Sequence, residues 1–187
     1  MTLRLSTAST RWLAALALLL AACTRAPSPE AGSPADTPSP AGADSLVLER
    51  APCFGTCPVY RLSIARDGAV RFESRSHADS GRTHTGQVPA TAFAALVAGA
   101  DSVGFFTFPA RIADDPAVCG NQATDHPTAT VTIHRAAGTH RVEDYLGCHG
   151  SEDAPANRER LDRLRAWESA IDSVAGTNRW LTNAPGR

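Results

Sequence analysis

Five cysteines carry most of the chemistry open to this 187-residue sequence, and their spacing divides them. Cys53 and Cys57 frame the stretch CFGTC just ahead of an alternating apolar segment. Cys119 and Cys148 flank a second such region, and Cys23 stands apart near the amino terminus. Thiols so placed can hold zinc, exchange electrons or form bridges. Structural zinc commonly uses two Cys-x2–4-Cys knuckles, whereas Cys119 and Cys148 each stand alone. A thioredoxin-type pair has two residues between its cysteines at a helix start; CFGTC has three and leads into a strand pattern. Four cysteines outside the cytoplasm favour two disulfides. Fully extended, Cys53 and Cys57 would lie about 13 Å apart at Cα, beyond the roughly 7 Å limit for a bridge. Joining them requires a turn, and Gly55 is placed to make one. Folding back the 119–127 segment would bring Cys119 to Cys148. The expected pairing is Cys53–Cys57 with Cys119–Cys148; the crossed pairings and a four-cysteine zinc site remain alternatives.

A second group of chemically able residues lies in DDPAVCGNQATDHPT, where Asp114, Asp115, Asn121, Asp125 and His126 fall in what reads as one long loop, Pro109 to Pro127. Loops of that length without secondary structure are uncommon in compact domains and are often functional. Cys119 would fix its middle, lowering the entropy lost on binding. The five residues form a candidate binding loop, with a small metal-dependent hydrolase as the alternative reading. The other histidines, His77, His84, His134, His140 and His149, read as solvated surface groups. No nucleophile elbow, phosphate-binding glycine loop or catalytically spaced carboxylate pair is present. The sequence therefore points to no catalytic residue, metal or cofactor.

These residues need a scaffold, and hydrophobic periodicity supplies one. SLVLERA reads as a first strand. VYRLSI and AVRFES alternate apolar and polar residues. A three-residue loop, Arg66-Asp67-Gly68, sets Ile64 against Val70 and Leu62 against Phe72, so that all the apolar residues share a face. Phe93, Leu96, Val97 and Ala100 then repeat at helical spacing behind Pro89, taken as the first helical position. A second hairpin directs Ala129, Val131 and Ile133 inward. Its turn is expected near Ala137-Gly138, with Ile133 opposite Val142 and a bulge near Glu143. A final helix shows Leu161, Leu164, Trp167, Ile171 and Val174 on one face and ends at Gly176. The expected fold class is α+β, an antiparallel sheet of about five strands with two helices packed on one face, in the order β-β-β-α-β-β-α.

The amino terminus addresses compartment. Arg4 and Arg11 precede the apolar run WLAALALLL, which has the length of a signal-peptide core but is too short to span a bilayer. The LAAC that follows, Leu20 to Cys23, resembles the bacterial lipobox. That resemblance implies cleavage after residue 22 and lipid on Cys23, and several acyl chains give stable anchoring. Thr24 stands where an aspartate would signal inner-membrane retention, so the resemblance implies an outer-membrane anchor facing the periplasm. Residues 24–43 hold five prolines and no aromatic, Leu, Ile or Val, the composition of a disordered spacer. At about 3.1 Å per residue it reaches roughly 60 Å. One domain then fills 44–182, and 183–187 form a tail. Net charge is −1 for the whole chain and −3 once residues 1–22, with their two arginines and no acids, are removed. Without a basic cluster, nucleic acid is not an expected partner. Those expected are the membrane, through Cys23, and an envelope protein or cell-wall component, met by a monomer.

CFGTCPVY, ARDGAVRFE, GFF, TDHPTATVTI, VEDYLGC and IDSVAGTNRW occur in that order. Together they resemble a bacterial family catalogued as domain of unknown function 6438, many of whose members are lipoproteins. The resemblance spans about Leu46 to Trp180. It implies a small α+β envelope domain and carries over no catalytic residue.

Overall fold

A computed structural model describes residues 43–76, 80–151 and 153–181. The expected signal segment, Cys23, the spacer up to residue 42, His77 and the tail lie outside the described residues. The fold is α+β. Strands β1 (Ala43–Arg50), β2 (Tyr60–Ala65), β3 (Ala69–Ser74) and β4 (Thr83–Gln87) precede helix α1 (Ala90–Ser102). There follow β5 (Cys119–Gln122), β6 (Thr128–Arg135), β7 (Gly138–Tyr145), β8 (Cys148–Gly150), α2 (Pro155–Ala175) and the short α3 (Asn178–Leu181). Six strands make one sheet in the order β4-β3-β2-β1-β6-β7, and β5 pairs with β8 in a separate two-stranded ribbon. Every pairing between these strands is antiparallel.

One face of the large sheet carries the core in three cross-strand rows. The first runs Val70, Ile64, Leu46, Ile133 and His140; the second runs Phe72, Leu62, Leu48, Val131 and Val142. Their leucine, isoleucine and phenylalanine members are all but inaccessible to solvent. Full burial of such a side chain contributes about 1.5–3 kcal/mol, so these rows account for adhesion between sheet and helices. The third row is different. Ser74, Tyr60, Arg50, Ala129 and Asp144 lie side by side, most of them are polar, and Tyr60, Arg50 and Asp144 bond to α2. The opposite face bears the partly exposed pairs Glu49–Arg61 and Glu49–Arg75.

The first hairpin has the expected register, with Ile64 opposite Val70 and Leu62 opposite Phe72. Gly68 closes its loop at φ 84°, a conformation that glycine adopts without strain. The second hairpin differs. Its turn is Ala136-Ala137, and Val131, not Ile133, faces Val142. No bulge forms near Glu143; instead His140 and Asp144 take inward positions. His140 is accommodated against Phe105 and Phe106, 5.1 and 5.4 Å between ring centres. Asp144 is accommodated by an arginine of α2.

The sheet also exceeds the expected five strands. β4 reads THTGQ, without an apolar alternation, and its inward side is defined by what covers it: His84 stacks on Trp180 at 5.8 Å. The expected loop from Pro109 to Pro127 is not structureless, since it holds a 3-10 turn at Ile112–Asp114 and strand β5. Its Ile112 and Val118 are in the core. Pro89 precedes α1 as its cap and is not its first turn. In α2 the buried stripe ends on Ala175, leaving Val174 exposed.

The helices meet where Trp167 of α2 donates its indole N–H to Leu96 O of α1, at 2.9 Å. The ring lies over Gly99, where an added Cβ would come within 2.9 Å of Trp167 Cδ1. Glycine in a helix costs about 1 kcal/mol relative to alanine, yet here it lets the helices close. Gly99→Ala is therefore expected to lower stability by about 1–3 kcal/mol, against the gain that helix propensity alone would give. Chemical denaturation of the two proteins checks this.

Candidate functional site

The candidate site lies at the end of the sheet where β1 ends and β6 begins. CFGTC turns back on itself there, bringing the Cys53 and Cys57 Cα atoms to 5.7 Å and closing a disulfide. Gly55, at φ 143°, supplies the turn. Phe54 donates its backbone N–H to Asp125 O at 3.2 Å, while its ring is 88% exposed. Asp125 itself adopts φ 72°. The Tyr145 hydroxyl donates to Ala123 O (2.7 Å) and accepts from the His126 N–H (3.3 Å), so the segment facing Phe54 is pinned from behind.

The ribbon continues the β6–β7 ladder past this point. Leu146 N–H reaches Pro127 O and Ala123 N–H reaches Gly147 O, after which Gln122 pairs with Cys148. The second disulfide, Cys119–Cys148, ties the two ribbon strands with Cα atoms 5.1 Å apart. A cleft of about 470 Å3 opens between the ribbon and α2. Asn121, His149 and Gly150 line it on one side, and Arg158, Asp162 and Arg165 on the other, with Cys148 at its base.

Behind the cleft the third row meets α2. Arg165, Glu168 and Asp172 recur on one helical face beside the apolar stripe. Arg165 grips the wholly buried Asp144 through two hydrogen bonds of 2.8 and 3.0 Å and also donates to Tyr145 O. Arg50 donates to Asp172 at 3.0 and 3.3 Å and to Glu168 at 3.4 Å. Tyr60 donates its hydroxyl to Asp172 at 2.7 Å, and Thr177 donates to the same carboxylate oxygen at 3.3 Å. Glu168 is 1% exposed. Ala129 lies between Arg50 and Asp144 in the row, and its small side chain leaves space on the sheet at that point.

Counting charges shows what this arrangement must do. Arg50 and Arg165 balance Asp172 and Asp144, so an ionised Glu168 would be a buried charge in excess. Burial, and then the neighbouring Asp144, push the Glu168 carboxyl up to about 8 despite the opposing arginines. Burial and Asp172 likewise raise the Tyr60 phenol. Burial pulls the Arg50 guanidinium down, but Glu168, Asp172 and Tyr60 outweigh it and leave it above its ordinary value. The cluster is thus neutral while it holds one proton.

The five residues of the expected binding loop fall in separate places. Asp114 is exposed and pairs with Arg111 at 3.5 Å. Asp115 accepts the Ala117 N–H at 2.9 Å and so stabilises its own turn. Asn121 faces the cleft, and Asp125 and His126 stand beside CFGTC. Among the described residues no three His, Cys, Asp or Glu side chains gather as a metal-binding group. Sequence reasoning missed Arg50, Tyr60, Asp144, Arg165, Glu168 and Asp172. The signal open to it was the spacing 165-168-172, one face of a helix, with charges lying beside the apolar stripe.

The proton on Glu168 has a consequence for stability. A glutamate in the unfolded chain titrates near about 4.3. Between there and about 8 the folded protein holds a proton that the unfolded chain has released. The stabilisation is therefore full below that range and is lost as pH rises through it. Tm should fall by several degrees between pH 5 and pH 9 in the wild type, and Glu168→Gln, a neutral isostere, should flatten that dependence. Calorimetry across the range checks both.

No curated protein matches the sequence. The model of the family described as domain of unknown function DUF6438 matches residues 44–166, which take in all of β2 to β8, all but the first residue of β1 and the first half of α2. The chain belongs to that family.

Proposed function

We propose that the protein is a non-catalytic, lipid-anchored binding module of the bacterial cell envelope. It is held to the outer membrane by lipid on Cys23, faces the periplasm, and engages a protein or cell-wall partner through the loops at the stapled end of the sheet. Three features support the anchor and compartment. LAAC closes an apolar run of signal-peptide length. Thr24 replaces the aspartate of inner-membrane retention. Two disulfides suit an oxidising space.

One observation carries the binding role. Phe54 is an 88% exposed aromatic side chain held on a five-residue loop by a disulfide. Exposed apolar residues scattered singly are ordinary, but a rigid backbone beneath an aromatic ring lowers the entropy lost on docking. Aromatic anchors of this kind dominate many interfaces. Asp125 and His126 beside it supply polar groups for a rim.

Phe54→Ala should leave Tm nearly unchanged and weaken capture of a partner, first identified with the wild type, by about tenfold or more. Undiminished capture would contradict the role of this loop. Cys23→Ser should release the protein from membranes or leave it unprocessed. Cell fractionation with mass measurement of the product checks the anchor.

A further inference from the structure

We infer that the cleft between the β5–β8 ribbon and α2 is a binding site for an amino-acid head group, an ammonium and a carboxylate on one carbon. The inference rests on reading the domain as a binding module and names a ligand class for it. Arg158 and Asp162 stand four residues apart on α2, one turn along the wall of the cleft. Residues at that spacing are neighbours and often pair. Here neither side chain makes a hydrogen bond or an ion pair within 4 Å with any described residue, although Asp162 is near enough to Arg165 to favour its charged form. An arginine placed before its acid is also the weaker orientation for such a pair. The helix therefore offers a cation and an anion to the same cleft, unspent on each other.

The opposite wall completes the set. Asn121 has both a donor and an acceptor, and the His149 ring can also supply either. The guanidinium of Arg158 suits a carboxylate through two parallel hydrogen bonds. Asp162 suits an ammonium. Arg165, whose Nε and Nη2 are committed to Asp144, adds a fixed positive charge at the back. At about 470 Å3 the cleft is within the range of small-ligand sites.

Its walls are also held in advance of binding. The Cys119–Cys148 bridge fixes the ribbon. Gly150 sits so close to α2 that an added Cβ would lie 2.7 Å from Arg158 Cα. Arg165, two turns along the helix from Arg158, is tied to the sheet through Asp144. Little ordering is then required of the protein when a ligand enters.

Nuclear magnetic resonance titration of the purified protein with L-alanine, N-acetyl-L-alanine and L-alaninamide tests the site. These probes carry both charges, the carboxylate alone and the ammonium alone. L-alanine should shift the Asn121 and His149 signals with a Kd of about 1 mM, and each singly charged probe should bind about tenfold more weakly. Arg158→Ala should weaken L-alanine about tenfold, and Asp162→Asn should do so while sparing N-acetyl-L-alanine. γ-L-Glutamylglycine carries the head group at the end of a chain. Tighter binding than L-alanine would assign the site to a chain-borne group, and weaker binding to a free amino acid.

Three results would overturn the inference: no shifts at the cleft up to tens of millimolar, equal affinity for all three probes, or unchanged binding in Arg158→Ala. Any of these, with Phe54-dependent capture intact, would remove the head-group site alone. Loss of the Phe54 dependence with L-alanine binding intact would remove the broader reading alone.

Discussion

A neutral assembly of charges under α2 is the constraint on which the arrangement of the stapled end of this domain depends. Two arginines, two aspartates and a glutamate that retains its proton lie between the last polar row of the sheet and one face of the helix. Breaking a buried ion pair by removing one partner costs about 3–5 kcal/mol, because the remaining charge is left without solvent or counter-ion. Apolar surfaces can slide by small amounts at modest cost; paired charges at fixed distances cannot. The apolar rows hold the helices to the sheet, and the charged row decides where along it α2 comes to rest.

That position is passed on to the surface. Arg158 and Asp162 belong to the same helix as Arg165, so the wall of the cleft is placed by the grip on Asp144. The facing wall is placed by covalent means. Cys119 and Cys148 enclose the whole β6–β7 hairpin, and in the chain-entropy model closing a loop of about thirty residues contributes roughly 3–4 kcal/mol. The short Cys53–Cys57 loop contributes less to stability in that model. Its effect is local: it holds the backbone beneath Phe54, whose N–H is tied to the Asp125 carbonyl. Ribbon, stapled loop and helix wall thus gather at one end of the sheet, with few free loops among them.

What could be read from the sequence follows from where the information was local. The β2–β3 register was legible because a single loop length places every apolar residue on one face. Both long helices showed in their periodicity, and Gly176 marked the end of α2. Spacing favoured Cys53–Cys57 with Cys119–Cys148 while leaving crossed pairings and a zinc site open, and the favoured pairing is the one found. β4 was missed because its inward residues, His84 and Gly86, are recognised only by Trp180 and Arg179, which are distant in sequence. β5 and β8 were missed because four and three residues hold too little pattern. The β6–β7 register was misread for an instructive reason. Setting Ile133 opposite Val142 requires a bulge near Glu143, whereas the regular register brings Asp144 inward, where only the fold reveals Arg165 to pair with it. The candidate loop was divided for a similar reason, since Ile112 and Val118 draw its first half into the core.

The central claim is that Glu168 keeps its proton at neutral pH because the charges around it are already balanced. The most direct measurement is a titration of the Glu168 side-chain carboxyl by carbon-13 nuclear magnetic resonance in the folded protein. The account predicts a midpoint of about 8. A midpoint near the ordinary glutamate value of about 4.3 would contradict it. It would mean that α2 carries an uncompensated charge into the core or that Glu168 is reached by water.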